Sequence, residues 1–250
     1  MSGTLTILGT GPGAEGLIVP EADAALAQAT DALGYIPYLR RLAPRAGLRL
    51  HESDNREELD RARHAIALAQ AGGRVVVVSS GDPGVFAMAA AVFEVLEDLA
   101  PQTHPEIAVI PGITAMLAAA ARIGAPLGHD FCAINLSDNL KPAETIRHRI
   151  RHAALGGFAM GFYNPRSASR PDGFARALDV LRETCEPERI VIFARAVSTP
   201  QEEITVTTLA EARDTMADMR TVVLVGNPET RRIAGKGRDW VYTPRSWPAL

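Results

Sequence analysis

Cysteine is scarce: the 250 residues hold two, Cys132 and Cys185. They form no CxxC and sit in apolar segments, which argues against a disulfide framework and predicts buried, reduced thiols of the kind a cytoplasmic protein carries. An excess of charge of one sign is also missing. Lys and Arg total 26 against 29 Asp and Glu, a net charge of −3, so nothing global points to nucleic acid. Long apolar runs are absent, since no stretch approaches the roughly 20 residues that span a bilayer. The opening MSGTLTILGTG enters a strand-like run with no basic leader before it. We therefore expect a cytoplasmic, soluble chain with neither a membrane nor a nucleic-acid partner.

What is present is an ordinary globular composition, 47% hydrophobic and 22% charged, long enough for one large or two modest domains. The stretch Arg74–Met88, RVVVVSSGDPGVFAM, organises the first half. Val75 to Val78 suit a central parallel strand buried on both faces. Ser79-Ser80-Gly81 breaks the run, and Asp82-Pro83 offers an N-cap and a first helical proline to a helix over about Gly84–Leu99, with Phe86, Ala89, Ala90, Phe93 and Leu96 on its apolar face. Around it, Leu5–Gly9, Leu48–Glu52 and Glu106–Ile110 read as strands. Helices are expected over Pro20–Ala29, from a capping box at Asp54 and Glu57 to Gly72-Gly73, and over Ala115–Arg122. No acidic residue ends a recognisable second strand in Ala32–Tyr38, as a dinucleotide site would need. Strands alternating with helices predict a mainly parallel sheet.

The pattern pauses at Gly124–Asp130, which places a boundary between an N-terminal domain, 1–124, and a C-terminal domain, 125–250. In the second, strands are expected at Phe131–Leu136, Phe158–Tyr163, Ile190–Ala194, Ile204–Thr207, Thr221–Gly226 and Asp239–Thr243. Helical stripes run through Phe174, Leu178, Leu181 and Cys185, and through Leu209, Ala212 and Met216 behind a Thr208/Glu211 capping box. Strands this closely spaced predict a mixed sheet. The fold class is thus α/β with two α/β domains.

Several motifs carry chemistry, and each has a plain structural alternative. Gly9-Thr10-Gly11-Pro12-Gly13-Ala14 matches the dinucleotide pattern G-x-G-x-x-G/A literally. Pro12, Gly13, Gly16 and Pro20 delay the following helix, however, and a dinucleotide site needs the helix to open inside the loop. Ser80-Gly81-Asp82-Pro83 is a helix start or one wall of a site, since ligands of open α/β sheets sit at the strands' carboxyl ends. His148 and His152 have zinc-helix spacing, but the cations between them favour a solvated basic face and no metal. From Lys141 to Arg170 six cations, including Arg166, face one anion. This is either a solvated helix face or a docking surface for a polyanionic substrate.

Taken together, GTGPG (Gly9–Gly13), SGDPGVF (Ser80–Phe86), PGITA (Pro111–Ala115), LSD (Leu136–Asp138) and FYNPRS (Phe162–Ser167) resemble the tetrapyrrole (corrin/porphyrin) methyltransferase family in order and spacing. FYNPRS and the tail GKGRDWVYTPR (Gly235–Arg245) are most similar to its ring-contracting, C17-methylating members of the cobalamin pathway. Asn135 stands where those members carry Ser in an SLSD stretch. The resemblance implies S-adenosylmethionine as methyl donor, S-adenosylhomocysteine as product, a tetrapyrrole substrate, a homodimer, and a cleft between the two domains. It implies donor-binding roles for Pro12, Ser80, Gly81, Asp82, Val85, Thr114, Ala115, Phe162, Tyr163, Asn164 and Ala196, and substrate contacts at Gly11, Gly13, Arg166 and Ser167. His129, Asp130 and Asp138 are acid–base candidates for the rearrangement, each also readable as a cap or turn residue. A cobalt-loaded substrate, another precorrin C-methylation, a dinucleotide oxidoreductase and a non-catalytic tetrapyrrole carrier are the alternative readings.

Overall fold

A computed structural model describes residues 3–54 and 56–247. It divides into two compact units, Met1–Thr114 and Ala115–Leu250.

In the first unit, β1 (Thr4–Gly9), α1 (Pro20–Gln28), β2 (Asp31–Tyr35), α2 (Ile36–Leu39), β3 (Arg49–Ser53), α3 (Glu58–Gln70), β4 (Arg74–Ser79), α4 (Met88–Glu97) and β5 (Glu106–Ile110) follow one another. The strands form a parallel sheet ordered β3-β2-β4-β1-β5. Val75 to Val78 are at most 2% exposed, as expected of a strand covered on both faces. Alternation sends Leu5, Ile7, Val75 and Val77 to a core with α3 and α4. Leu8, Val76 and Val78 go to a core with Ala22 of α1 and Leu39 of α2.

The second unit begins with α5 (Ala115–Ile123), β6 (Gly124–Ala125), β7 (Phe131–Asn135), α6 (Ala143–Leu155), β8 (Ala159–Tyr163) and α7 (Gly173–Thr184). β9 (Ile190–Arg195), β10 (Glu203–Thr208), β11 (Thr221–Val225), β12 (Arg231–Ile233) and β13 (Trp240–Tyr242) complete it. Its main sheet is ordered β10-β9-β11-β8-β7, with β7 and β8 parallel and the remaining pairs antiparallel, so it is mixed as expected. A small sheet, β12-β13-β6, stands apart from it. Ile146 and Ile150 of α6 and Phe174, Leu178 and Leu181 of α7 pack on Met160, Phe162, Phe193 and Val223.

Several expectations change. α5 groups with the second unit, so the units divide after Thr114, ahead of the boundary expected at Gly124. The reason is close packing on β8: a Cβ on Gly161 would come within 2.3 Å of Met116 Sδ. A strand not among those expected, β2, is present, hidden in the sequence by Asp31 and Gly34. α4 starts at Met88 with Ala87 as its N-cap, so Asp82 is not a helix cap and Phe86 precedes the helix. The buried face of α4 is Met88, Ala89, Val92, Val95 and Leu96, while Phe93 is exposed. The Thr208/Glu211 pair starts no α-helix; the Thr207 hydroxyl donates to Glu211 and a 3-10 turn forms at Asp214–Met216. Cys132 and Cys185 are half-buried, and burial pushes the Cys132 thiol up from its ordinary pKa.

Candidate functional site

Two crossovers of the parallel sheet run in opposite directions. α1 carries the chain from β1 to β2 across the Leu8 face, whereas α4 carries it from β4 to β5 across the Leu5 face. β1 and β4 are neighbours, so the chain leaves them toward opposite sides of the sheet. This is the topological switch point at which open α/β sheets bind ligands.

Three loops meet there: Gly9–Ala14 after β1, Ser80–Ala87 after β4 and Pro111–Thr114 after β5. Gly11 and Gly81, both left-handed (φ 69° and 70°), exchange main-chain hydrogen bonds of 3.2 and 2.7 Å. Their contact fits no side chain beneath it. A Cβ on Gly9 would lie 2.3 Å from the Gly81 carbonyl oxygen, and one on Gly112 2.1 Å from the same atom. Asp82 braces the arrangement: its Oδ1 accepts the Gly84 N–H at 2.8 Å and its Oδ2 the Gly112 N–H at 3.0 Å. The carboxylate predicted to cap a helix therefore ties two loops together. Pro12 and Thr114 are buried here, Ser80 and Val85 half-buried.

Within the second unit, the carboxyl ends of β7, β8 and β9 share one edge of the mixed sheet. That brings Phe162, Tyr163 and Asn164 alongside Asn135–Ser137 and onto the edge that carries Ala196. Phe162 is fully buried in the core. The Tyr163 hydroxyl accepts the Met116 N–H in the first turn of α5 at 3.0 Å, next to Ala115. Asn164 and Ala196 hold left-handed backbones (φ 52° and 48°), as do Phe86 and Ser198 (54° and 63°). Such conformations cost non-glycine residues about 1–3 kcal/mol each and collect at functional sites. Sequence patterns missed Phe86 and Ser198, because neither residue type signals a positive φ; asparagine does.

The remaining candidates are placed as follows. Asp138 follows β7 on the Asn164 edge and pairs with Arg176 at 3.1 Å. His129 and Asp130 precede β7 at the opposite edge, where the Asp130 N–H donates to His129 Nδ1 at 2.8 Å. Arg166 donates to the Pro171 carbonyl and lies 3.9 Å from Asp214. Ser167 closes a bridge with Arg170. Among the basic residues, Arg147 and Arg151 pair with Glu144 and Glu183, while Lys141 and Arg149 have no ion pair among the described residues. His148 and His152 stack on α6, and no cluster among the described residues has the makings of a metal centre. α1 opens only at Pro20 and β2 ends without an acidic residue, so the two hallmarks of a dinucleotide site are both missing.

The fold is that of an α/β protein whose glycine-rich loops gather at the carboxyl end of a parallel sheet. The Tetrapyrrole (Corrin/Porphyrin) Methylases match residues 4–213, and the chain belongs to that family. It is 52% identical to a precorrin-3B C(17)-methyltransferase of Sinorhizobium sp, over 98% of this chain and 97% of that protein. The crystal structure of the methyltransferase CobJ superposes with a TM-score of 0.93 at 64% identity, covering 97% of this chain and 100% of that one. A uroporphyrin-III C-methyl transferase from Thermus thermophilus, crystallised with S-adenosyl homocysteine, shares the fold at a TM-score of 0.67 and 23% identity, over 90% of this chain and 97% of that one.

Proposed function

We propose that this chain methylates C17 of precorrin-3B from S-adenosylmethionine and contracts the macrocycle to precorrin-4, in cobalamin biosynthesis. The observation that carries the reading is 52% identity, over nearly the whole of both chains, to an enzyme of that name. The three-loop cluster supports the donor half of it. A nucleoside with an amino-acid tail is held largely by main-chain groups, and Gly9, Gly11 and Gly112 let these loops pack backbone on backbone so that such groups lie side by side.

In this reading Pro12, Ser80, Gly81, Val85 and Thr114 hold the donor, and Asp82 keeps their loops in register. Ala115, Phe162, Tyr163, Asn164 and Ala196 are assigned to the donor as well, with Phe162 acting from the core through Tyr163. When bound, the donor supplies a methyl group activated on a sulfonium. Transfer disperses that positive charge, so the protein's task is alignment and exclusion of water rather than strong acid–base assistance. Ring contraction does call for proton transfer. Asp138, on the Asn164 edge, is the first candidate, ahead of His129 and Asp130. Gly11, Gly13, Arg166 and Ser167 are assigned to the macrocycle, and Lys141 and Arg149 add unpaired cations for its carboxylates. We also assign the enzyme to the cytoplasm as a homodimer, to be checked by light scattering of the purified protein. No helix among the described residues is long and apolar enough to cross a membrane.

Incubation of the purified protein with S-adenosylmethionine and precorrin-3B should give a product one methyl heavier with a changed absorption spectrum. Unchanged substrate recovered from a folded, donor-binding enzyme would sink the assignment. Preferential turnover of cobalt-loaded over metal-free substrate would move it to the cobalt-first route.

A further inference from the structure

Asn135 ends β7, and its carboxamide meets two groups of defined polarity. Its Oδ1 accepts the Ser137 main-chain N–H at 2.9 Å and an N–H of Asn164 Nδ2 at 3.1 Å. A main-chain N–H only donates, so the Asn135 atom facing Ser137 has to be oxygen. The Asn164 atom facing that same oxygen then has to be nitrogen, since two amide oxygens would repel. One main-chain N–H thereby fixes the orientation of two side-chain amides that are otherwise free to flip.

Asn164 is over-determined in other ways. Its backbone is left-handed at φ 52°, and its carbonyl accepts from Arg170 Nη1 at 3.4 Å. Strained backbones persist where the surroundings hold them and the strain serves a site. With one Nδ2 hydrogen donated to Asn135, the Oδ1 of half-buried Asn164 is left accepting no hydrogen bond among the described residues.

We infer that Asn135 is a positioning residue that turns Asn164 so that its Oδ1 is presented as an acceptor to the methyl donor. The matching chemistry is a hydrogen-bond donor: the ribose hydroxyls or the ammonium of S-adenosylmethionine. Serine at 135 would not set this polarity, because a hydroxyl both donates and accepts. The inference rests on the assignment of Asn164 to the donor made above.

The test uses the full chain with S-adenosylhomocysteine as probe. In Asn135→Leu the Asn164 amide loses its partner, and the calorimetric Kd should rise about tenfold, the loss of one well-placed hydrogen bond. Asn135→Asp keeps an acceptor toward both neighbours and should stay within about threefold of the parent. In turnover the Leu variant should raise the KM for the donor more than it lowers kcat. The side-chain amide protons of Asn164, followed by NMR in the ligand-free protein, should show one slowly exchanging hydrogen in the parent and in Asn135→Asp but not in Asn135→Leu. Should Asn135→Leu not fold, Asn135→Ser takes its place with the same expectations. Parent-like affinity in a folded variant that has lost the slow amide hydrogen overturns the inference. A parent protein that binds no S-adenosylhomocysteine, yet shows the slow amide hydrogen, overturns the donor assignment instead.

Discussion

Asp82 shows how one carboxylate can tie two loops together. Both oxygens are spent on main-chain N–H groups, one in its own loop and one in the Pro111–Thr114 loop. In Asp82→Ala each bond forfeits about 1 kcal/mol, and the loop joint loosens. We predict about a tenfold weaker calorimetric Kd for S-adenosylhomocysteine, with a fall in Tm of only a few degrees. Equal affinity in the variant would show the brace to be irrelevant to binding. Gly112→Ala is the sharper probe, because its Cβ would sit 2.1 Å from the Gly81 carbonyl oxygen. That variant should abolish donor binding outright. Gly16→Ala meets nothing within 4 Å and should bind as the parent does. The Asp82-Pro83 pair was legible as a local signature, but its purpose was not, since the partner N–H comes from a loop 30 residues away.

Among the elements, β3 at the sheet edge depends on a buried carboxylate in its neighbour β2. Asp31 is fully buried; it accepts two hydrogen bonds from Arg49 and one from Thr30, and pairs with His51 at 2.8 Å. The Arg49 hydrogen bonds, outweighing burial and helped by His51 and Thr30, hold its carboxyl far below the usual carboxylate range. A depressed carboxyl contributes stability that is complete above the unfolded-state pKa of about 3.9 and is lost as pH falls below it. Asp31→Asn should therefore cost about 2 kcal/mol at pH 7, less than for a fully buried pair because Arg49 is exposed. The gap to the parent in urea unfolding should narrow as pH drops from about 4 toward 2. Parallel stabilities across that range would contradict the assignment. An aspartate opening a strand reads in sequence as a turn residue, which is why β2 was hidden; only its Arg49 and His51 partners, one strand away, make it a strand residue.

Over the whole molecule, the charge is uneven. A chain of net −3 carries six cations against one anion from Lys141 to Arg170. Arg147, Arg151 and Arg166 are engaged by Glu144, Glu183 and Asp214; of the three cations outside any ion pair among the described residues, Arg170 donates to the Asn164 carbonyl, which leaves Lys141 and Arg149. If these two meet substrate carboxylates, raising salt from about 0.05 to 0.5 M should raise the KM for the tetrapyrrole several-fold through screening. The Kd for S-adenosylhomocysteine should hardly move. The double variant Lys141→Gln, Arg149→Gln should flatten the salt dependence, and an unchanged slope would remove this surface from substrate binding.

The sequence by itself determined the alternation of strands and helices, the doubly buried Val75–Val78 strand and the mixed second sheet. Those features follow from hydrophobic period and from glycine and proline, which act within a few residues of themselves. It also carried the family resemblance, because motif order and spacing are one-dimensional. Only the tertiary structure decided what the loops do. The crossover direction reverses between β1 and β4, Gly11 and Gly81 join the loops that leave them, and Asp82 becomes a brace rather than a cap. Asn135 sets the polarity of Asn164 in the same way. Each depends on atoms brought together across tens of residues, and a hydrogen bond between distant main-chain and side-chain groups leaves no period in the sequence that forms it.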